Sequence, residues 1–323
     1  MATLDNTALE GRATSHPRVP AIDIARGVAV IAMVIYHFAW DLSTLALADL
    51  EVVGSPGWNL FARAIAASFL VLAGIGISMA YRDGIRWAHF LRRLAVIAAA
   101  AAVITAATFL SFPRSYIFFG ILHNMALSSV IALPFLFAPR IVAALAALVF
   151  LALPRLVSGG IFDQPVLAFL GLGTIPPNTY DWVPVFPWSG YLLAGFAAAP
   201  LLIGLLPRSE GGGVGRALAT LGRYSLVIYL VHQPVLFGAL FGLRQFTGPN
   251  PTADAAPFMR YCLQSCQAQK QPEALCKKAC GCTVEALRRD GIWGPIRDGD
   301  PSAEFLQRAG NRAAECLKQA RGN

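Results

Sequence analysis

About seven runs of roughly 20 apolar residues dominate this chain, and a run of that length, rising 1.5 Å per residue, spans the roughly 30 Å hydrocarbon core of a bilayer as a helix. They fall at residues 25–45, 60–81, 94–111, 116–137, 141–157, 182–206 and 221–243. The fifth is the weakest, because Pro154 interrupts it. Of the 323 residues, 56% are hydrophobic and only 14% charged, a balance outside the range of soluble domains, so the runs face lipid. The expected fold is all-α: a polytopic membrane helix bundle of about seven transmembrane helices over 21–245, followed by a small disulfide-stapled helical tail.

The first run follows Arg12, Arg18 and Arg26 and is longer than the apolar region of a signal peptide, with no convincing cleavage site after it. It reads as a retained helix behind a cytoplasmic segment, 1–20. Basic residues near transmembrane ends stay on the cytoplasmic side. With the amino terminus inside, the cytoplasmic segments hold Arg12, Arg18, Arg82, Arg86, Arg92, Arg93, Arg140, Arg208, Arg216 and Arg223, while the outer loops hold only Arg114 and Arg155. That places the protein in the inner membrane with its tail periplasmic, provided that the fifth run crosses. The net charge of +8 is dispersed over loops and not gathered on one face, so no nucleic acid partner is expected.

Composition changes at a Pro-, Ala- and Asp-rich stretch, 246–257, which reads as a linker, and every lysine of the protein comes after it. All six cysteines lie in the tail, 258–323, as suits an oxidising compartment. Cys262 and Cys266 are four apart, as are Cys276 and Cys280, so each pair shares one face of a helix. An antiparallel hairpin would pair Cys262 with Cys280 and Cys266 with Cys276, leaving Cys282 for Cys316, one of 15 possible pairings. A zinc site is the competing reading, but the spacing contains no CxxC pair, and no metal is expected. A last stretch, 303–320, carries Phe305, Leu306, Ala309, Ala313, Cys316 and Leu317 at helical spacing, as a helix packing on the hairpin would.

Ionisable groups in a bilayer are expensive, so each is a candidate for function. His37 and Asp41 are four apart on the first run, where a carboxylate can fix an imidazole tautomer and raise its basicity, the arrangement of a general base. The bland alternative is a hydrogen-bonded pair at the lipid interface. Asp23 and Arg26 at the inner end read as a structural ion pair, or as an anchor for an anionic donor. Counting along the runs from their starts places Arg63, His123, Asn124, Trp188, His232 and Gln233 in the outer half or near mid-depth of the membrane. One shared cavity would explain them; separate, individually satisfied side chains are the alternative. The Gly211-Gly212-Gly213 run lacks the lysine of a phosphate loop and reads as a flexible connection.

Asp23-Ile-Ala-Arg26-Gly27 followed by Met33 and His37 resembles the first-helix signature of transmembrane acyltransferases. Gly120-Ile-Leu-His123-Asn124, Pro184-Val-Phe-Pro187-Trp188-Ser-Gly190-Tyr191 and Leu221-Gly-Arg223-Tyr-Ser225-Leu-Val-Ile-Tyr229-Leu-Val-His232-Gln233-Pro234 add to the likeness. Together they resemble, over about residues 18–245, bacterial proteins carrying the heparan-alpha-glucosaminide N-acetyltransferase catalytic domain. The resemblance implies acyl transfer from cytoplasmic acetyl-CoA to an amine or hydroxyl presented outside, with His37 as the matching first-helix residue. It differs in two respects: in the animal lysosomal enzyme the luminal stretch after the first helix carries the catalytic histidine, and residues 46–59 here contain none; and the bacterial version is shorter, with fewer helices.

The expected activity is therefore that of a membrane acyltransferase, in which His37, oriented by Asp41, deprotonates the acceptor. Arg63 or Asn124 would steady the oxyanion, with His123, Trp188, His232 and Gln233 shaping the acceptor site and Asp23 and Arg26 on the donor side. Expected partners are the lipid bilayer, a glycan or other envelope acceptor, and a second copy of the chain in a homodimer. Two other classes compete: a membrane haem protein ligated by two of His37, His123 and His232, and a transporter or scaffold without catalysis.

Overall fold

The computed structural model describes residues 19–206, 209, 211–297 and 302–322. Residues 1–18 of the expected cytoplasmic segment, with Arg12 and Arg18, and also Arg208, lie outside them, while Pro20 of that segment already opens the first helix. The described residues are helical throughout, with only an isolated bridge between Phe119 and Trp182 outside the helices and loops. Helices α1 (Pro20–Thr44), α2 (Pro56–Ala80), α3 (Trp87–Ser111), α6 (Val185–Leu205) and α8 (Ser225–Thr247) are each long and apolar enough to cross a membrane. Helices α4 (Ile121–Ile131) and α5 (Arg140–Leu156), of 11 and 17 residues, are shorter. Exposed Val28 and Ile31 on α1, Val103 and Leu110 on α3, Leu145 and Leu148 on α5, and Val227 and Val231 on α8 form the apolar outer surface a bilayer requires.

Three of the expected runs are redrawn. The fourth does not start at residue 116: α4 begins at Ile121, because residues 115–119 run extended beside 179–183. There the Tyr180 N–H donates to the Ser115 carbonyl at 3.1 Å and the Val183 N–H to the Phe119 carbonyl at 3.1 Å. His123 and Asn124 therefore lie in the first turn of α4, and not about two turns inside a long helix. The fifth run is not interrupted, since α5 carries Pro154 inside it and continues to Leu156. The seventh begins only after Tyr224: its first three residues close a separate helix, α7 (Gly213–Arg223), and the rest lies in α8. α7 is amphipathic, burying Ala219 and Gly222 and exposing Arg223, so it cannot continue the apolar span; Gly212 caps it and Gly213 opens it, so the glycine run is the start of a helix.

The chain divides into two compact units. One comprises Leu60–His232 with the chain before Ile35; the other comprises Ile35–Asn59 with Gln233–Asn323. In the first, Leu70 and Ile77 of α2 meet Leu192, Leu193 and Phe196 of α6 in a core closed by Ala143 and Ala147 of α5. Glycine permits this packing. A Cβ on Gly74 would collide with the Leu192 carbonyl oxygen, and one on Gly195 with that of Val71, so the two helices cross backbone to backbone. Gly74→Ala should destabilise this unit by about 2 kcal/mol by overpacking, measured as a lowered unfolding midpoint in detergent.

The second unit is built on α9 (Pro251–Ala268), α10 (Glu273–Arg289), α11 (Trp293–Arg297) and α12 (Ala303–Arg321). α9 starts earlier than the Pro-rich stretch suggested. Pro251 occupies its first turn, where a missing N–H costs nothing, and the Asn250 side chain accepts from the Thr252 and Ala253 N–H groups. Residues 251–257 are thus helical, and Ala255 joins Val284, Leu287, Ile292 and Trp293 in the core. Asp254 is buried there and takes hydrogen bonds from Trp293 Nε1, Arg288 and Arg297, so the carboxylate is fully partnered.

Disulfides Cys262–Cys280 and Cys266–Cys276 staple α9 to α10 as an antiparallel hairpin, and Cys282–Cys316 ties α12 to α10. Phe305 and Ala309 of α12 pack on the same core. Arg312 bonds Asp290 at 2.7 Å and holds its carboxyl below the usual carboxylate range. A lowered folded pKa adds stability that is present above the ordinary value near 4 and is lost as pH falls through the folded one. Protection of the α12 amides, taken relative to their intrinsic exchange rates, should therefore fall on acidification below about pH 4, and Arg312→Ala should remove that dependence.

Candidate functional site

In the second unit the carboxyl end of α1 carries His37 and Asp41, and α8 contributes Gln233. Asp41 is fully buried, and its Oδ1 accepts from Gln233 Nε2 at 2.6 Å. Its Oδ2 and the Gln233 Oε1 are also buried, and neither has a hydrogen-bond partner among the described residues. Each such atom costs about 1–3 kcal/mol until a donor reaches it, which is a large standing cost for two adjacent side chains. Both atoms are acceptors. The pair is therefore chemically one-sided: it has hydrogen-bond acceptors to offer and calls for N–H or O–H.

His37 is half-buried one turn before Asp41, with its ring edge-on to Tyr36 at 5.5 Å between centroids, and Trp58 lies 6.2 Å from Tyr36. The segment after α1 is held by the tail. The Asn250 N–H donates to the Ala46 carbonyl at 2.8 Å, and Arg260 of α9 pairs with Asp49 at 3.6 Å and Glu51 at 3.8 Å.

The remaining candidates lie in the first unit. Asn124 is fully buried with both ends of its amide engaged: Nδ2 donates to the Pro184 carbonyl at 2.9 Å, and Oδ1 accepts from Ser128 at 2.8 Å. Ser128 and Ser189 lie 2.7 Å apart, so the network joins α4 to the start of α6. This arrangement suits a frame better than an oxyanion donor. Asn124→Leu should cost about 2–3 kcal/mol, because it strands the Pro184 carbonyl and the two serines, and a double-mutant cycle with Ser128→Ala would show strong coupling.

His123 is likewise engaged at both nitrogens. Nδ1 accepts from the Gly120 N–H at 3.2 Å; Nε2 lies 3.2 Å from Thr105 Oγ1, whose own proton goes to the Ile117 carbonyl at 2.7 Å. That pattern selects the neutral tautomer protonated on Nε2 and leaves neither nitrogen available as a haem ligand. Asp181, in the loop before α6, accepts from the Ile121 N–H at 3.0 Å and supplies negative charge at the α4 amino end.

His232 Nδ1 lies 2.8 Å from the Tyr229 carbonyl. Trp188 packs against the core beside Tyr191, and Arg63 is exposed on α2 with no hydrogen bond or ion pair among the described residues. Asp23 and Arg26 form the ion pair expected of them, at 3.2 Å. No cluster of three or more His, Cys, Asp or Glu side chains able to hold a metal ion occurs among the described residues.

Thus the structure joins Asp41 to Gln233 and groups Asn124 with Ser128 and Ser189. The pairing of Asp41 with Gln233 was not legible in sequence, since 192 residues separate them. Ser128 was legible: it follows Asn124 by one helical turn.

No curated protein and no solved structure matches the chain. The family model for heparan-alpha-glucosaminide N-acetyltransferase, catalytic, matches residues 18–234, which takes in α1 through the Asp41 partner Gln233 and leaves the disulfide-bonded tail outside. With two thirds of its length matched, the chain belongs to the heparan-alpha-glucosaminide N-acetyltransferase catalytic family.

Proposed function

We propose that this protein is an integral membrane acetyltransferase that moves an acetyl group from acetyl-CoA on the cytoplasmic side to an amine of a glycan or other envelope acceptor on the outer side of a bacterial inner membrane. Family membership supports transferase chemistry. The observation that carries the amine reading is the buried Asp41–Gln233 pair with its two unpartnered acceptor atoms. A primary amine brings two N–H groups to satisfy them, whereas a hydroxyl brings one O–H.

In this reading Asp41 and Gln233 hold the amine, and His37 takes its proton as the nitrogen attacks the thioester carbonyl. The C–N bond forms, the C–S bond breaks, and the coenzyme A thiolate leaves with the proton that His37 has taken. Asn124 and His123 act as positioning residues by fixing the start of α4. The proposed orientation rests on the excess of arginine in the loops assigned to the cytoplasm and on the three disulfides of the tail, which suit the periplasm.

His37→Ala in membrane vesicles supplied with acetyl-CoA and glucosamine should lower acetyl transfer about 10²–10⁴-fold. Undiminished turnover would take His37 out of the mechanism.

A further inference from the structure

Three helices of the first unit meet at a glycine notch lined by positive charge. The notch is Gly76, near the carboxyl end of α2. The point its Cβ would occupy lies 3.0 Å from Arg26 Nη2, on the amino-terminal part of α1, and 3.9 Å from Arg93 Nη2, on the amino-terminal part of α3. A Cβ at position 76 would crowd the Arg26 guanidinium and lie in van der Waals contact with that of Arg93. Arg26 has Asp23 as its carboxylate partner at 3.2 Å. Arg93 has no hydrogen bond or ion pair among the described residues, so two half-buried cations share one anion. Beside Arg93 a small cavity is lined by Ile77, Tyr81, Phe90 and Ser129.

Like charges brought together at low dielectric repel unless an anion lies between them. Guanidinium is also the side chain whose planar fork matches phosphate oxygens in pairs, and it is more weakly hydrated than an ammonium group. We propose that Arg26 and Arg93, meeting over Gly76, bind a phosphate-bearing group, Arg93 supplying the uncompensated charge and Asp23 orienting Arg26. A donor with a phosphorylated nucleotide and the headgroup of an anionic phospholipid share this chemistry. The donor assignment rests on the acetyltransferase reading; the phosphate site itself does not.

The test uses the full chain in nanodiscs of zwitterionic phosphatidylcholine, with labelled coenzyme A and inorganic pyrophosphate as probes. Pyrophosphate should displace the label. Arg93→Ala should weaken coenzyme A binding about tenfold or more, Arg93→Lys less, and Arg92→Ala, on the exposed neighbour, not at all. If coenzyme A binding is unchanged but Arg93→Ala abolishes retention of phosphatidylglycerol in native mass spectrometry, the phosphate site stands with a lipid as its source. Should Arg93→Ala not fold, Arg93→Lys, which keeps the charge and most of the stem, decides in its place. A folded variant that binds coenzyme A, pyrophosphate and phosphatidylglycerol as the parent does overturns the proposal. Pyrophosphate binding that persists in a protein without transfer activity would instead sink the acetyltransferase reading alone.

Discussion

Asp41→Ala is expected to lower kcat/KM for an amine acceptor by at least about 10²-fold, the scale on which an acid–base site fails when one of its members is removed. Loss of the carboxylate removes one of the two unpartnered acceptors and also strands the Gln233 amide, whose Nε2 has no other partner among the described residues. Asp41→Asn is the sharper variant. It preserves shape but can turn N–H groups toward the position where an amine would place its own, replacing attraction by donor–donor repulsion. If the pair holds the acceptor, Asn should raise KM for amines more than Gln233→Ala does, and the two changes should be strongly non-additive. Equal losses of stability from the two changes, with KM for the amine unmoved, would mean that Asp41 and Gln233 only brace α1 against α8.

The second large effect is expected in the tail. Opening Cys282–Cys316, which closes a separation of 34 residues, should cost about 4 kcal/mol on loop-entropy grounds, and opening Cys266–Cys276, with a separation of 10, about 3 kcal/mol. Cys282→Ser with Cys316→Ser should free α12 first, since what then holds it includes only a small apolar contact through Phe305 and Ala309 and the half-buried Arg312–Asp290 pair at the end of α10. Limited proteolysis would then cut within α12 while α9 and α10 remain protected. Because Arg260 and the Asn250 N–H tie α9 to residues 46–51, a tail that melts further should also loosen the segment following α1, a change hydrogen exchange would register.

Much of this was legible in the sequence because it follows from period and length. Apolar runs of about 20 residues became α1, α2, α3, α6 and α8, and cysteines spaced by four produced a hairpin whose disulfides follow from antiparallel geometry. The start of α4 was not legible. Tyr116, Ile117, Phe118 and Phe119 are as apolar as a helix interior, and what keeps them extended is pairing with residues 179–183, some 60 positions away. The division at Tyr224 was hidden for a similar reason: Leu218, Ala219, Leu221 and Gly222 continue the apolar pattern, while the amphipathic face of α7 shows only once Arg216 and Arg223 are placed on the helix. Of the site, each polar residue could be singled out, but not its partner. His37 and Asp41 share a turn, yet it is Gln233 that gives its amide to Asp41, and Arg93 read as one more loop cation until α1, α2 and α3 brought it to Arg26.

Transfer across the membrane is measured in sealed proteoliposomes containing the purified protein, with acetyl-labelled acetyl-CoA on one face of the membrane and glucosamine enclosed on the other. Labelled N-acetylglucosamine is expected inside the liposomes with the parent protein, and nearly none with Asp41→Ala. Label that never reaches the enclosed amine would rule out transmembrane acetyl transfer by this protein, and label that reaches it equally well with Asp41→Ala would rule out Asp41 as part of the acceptor site.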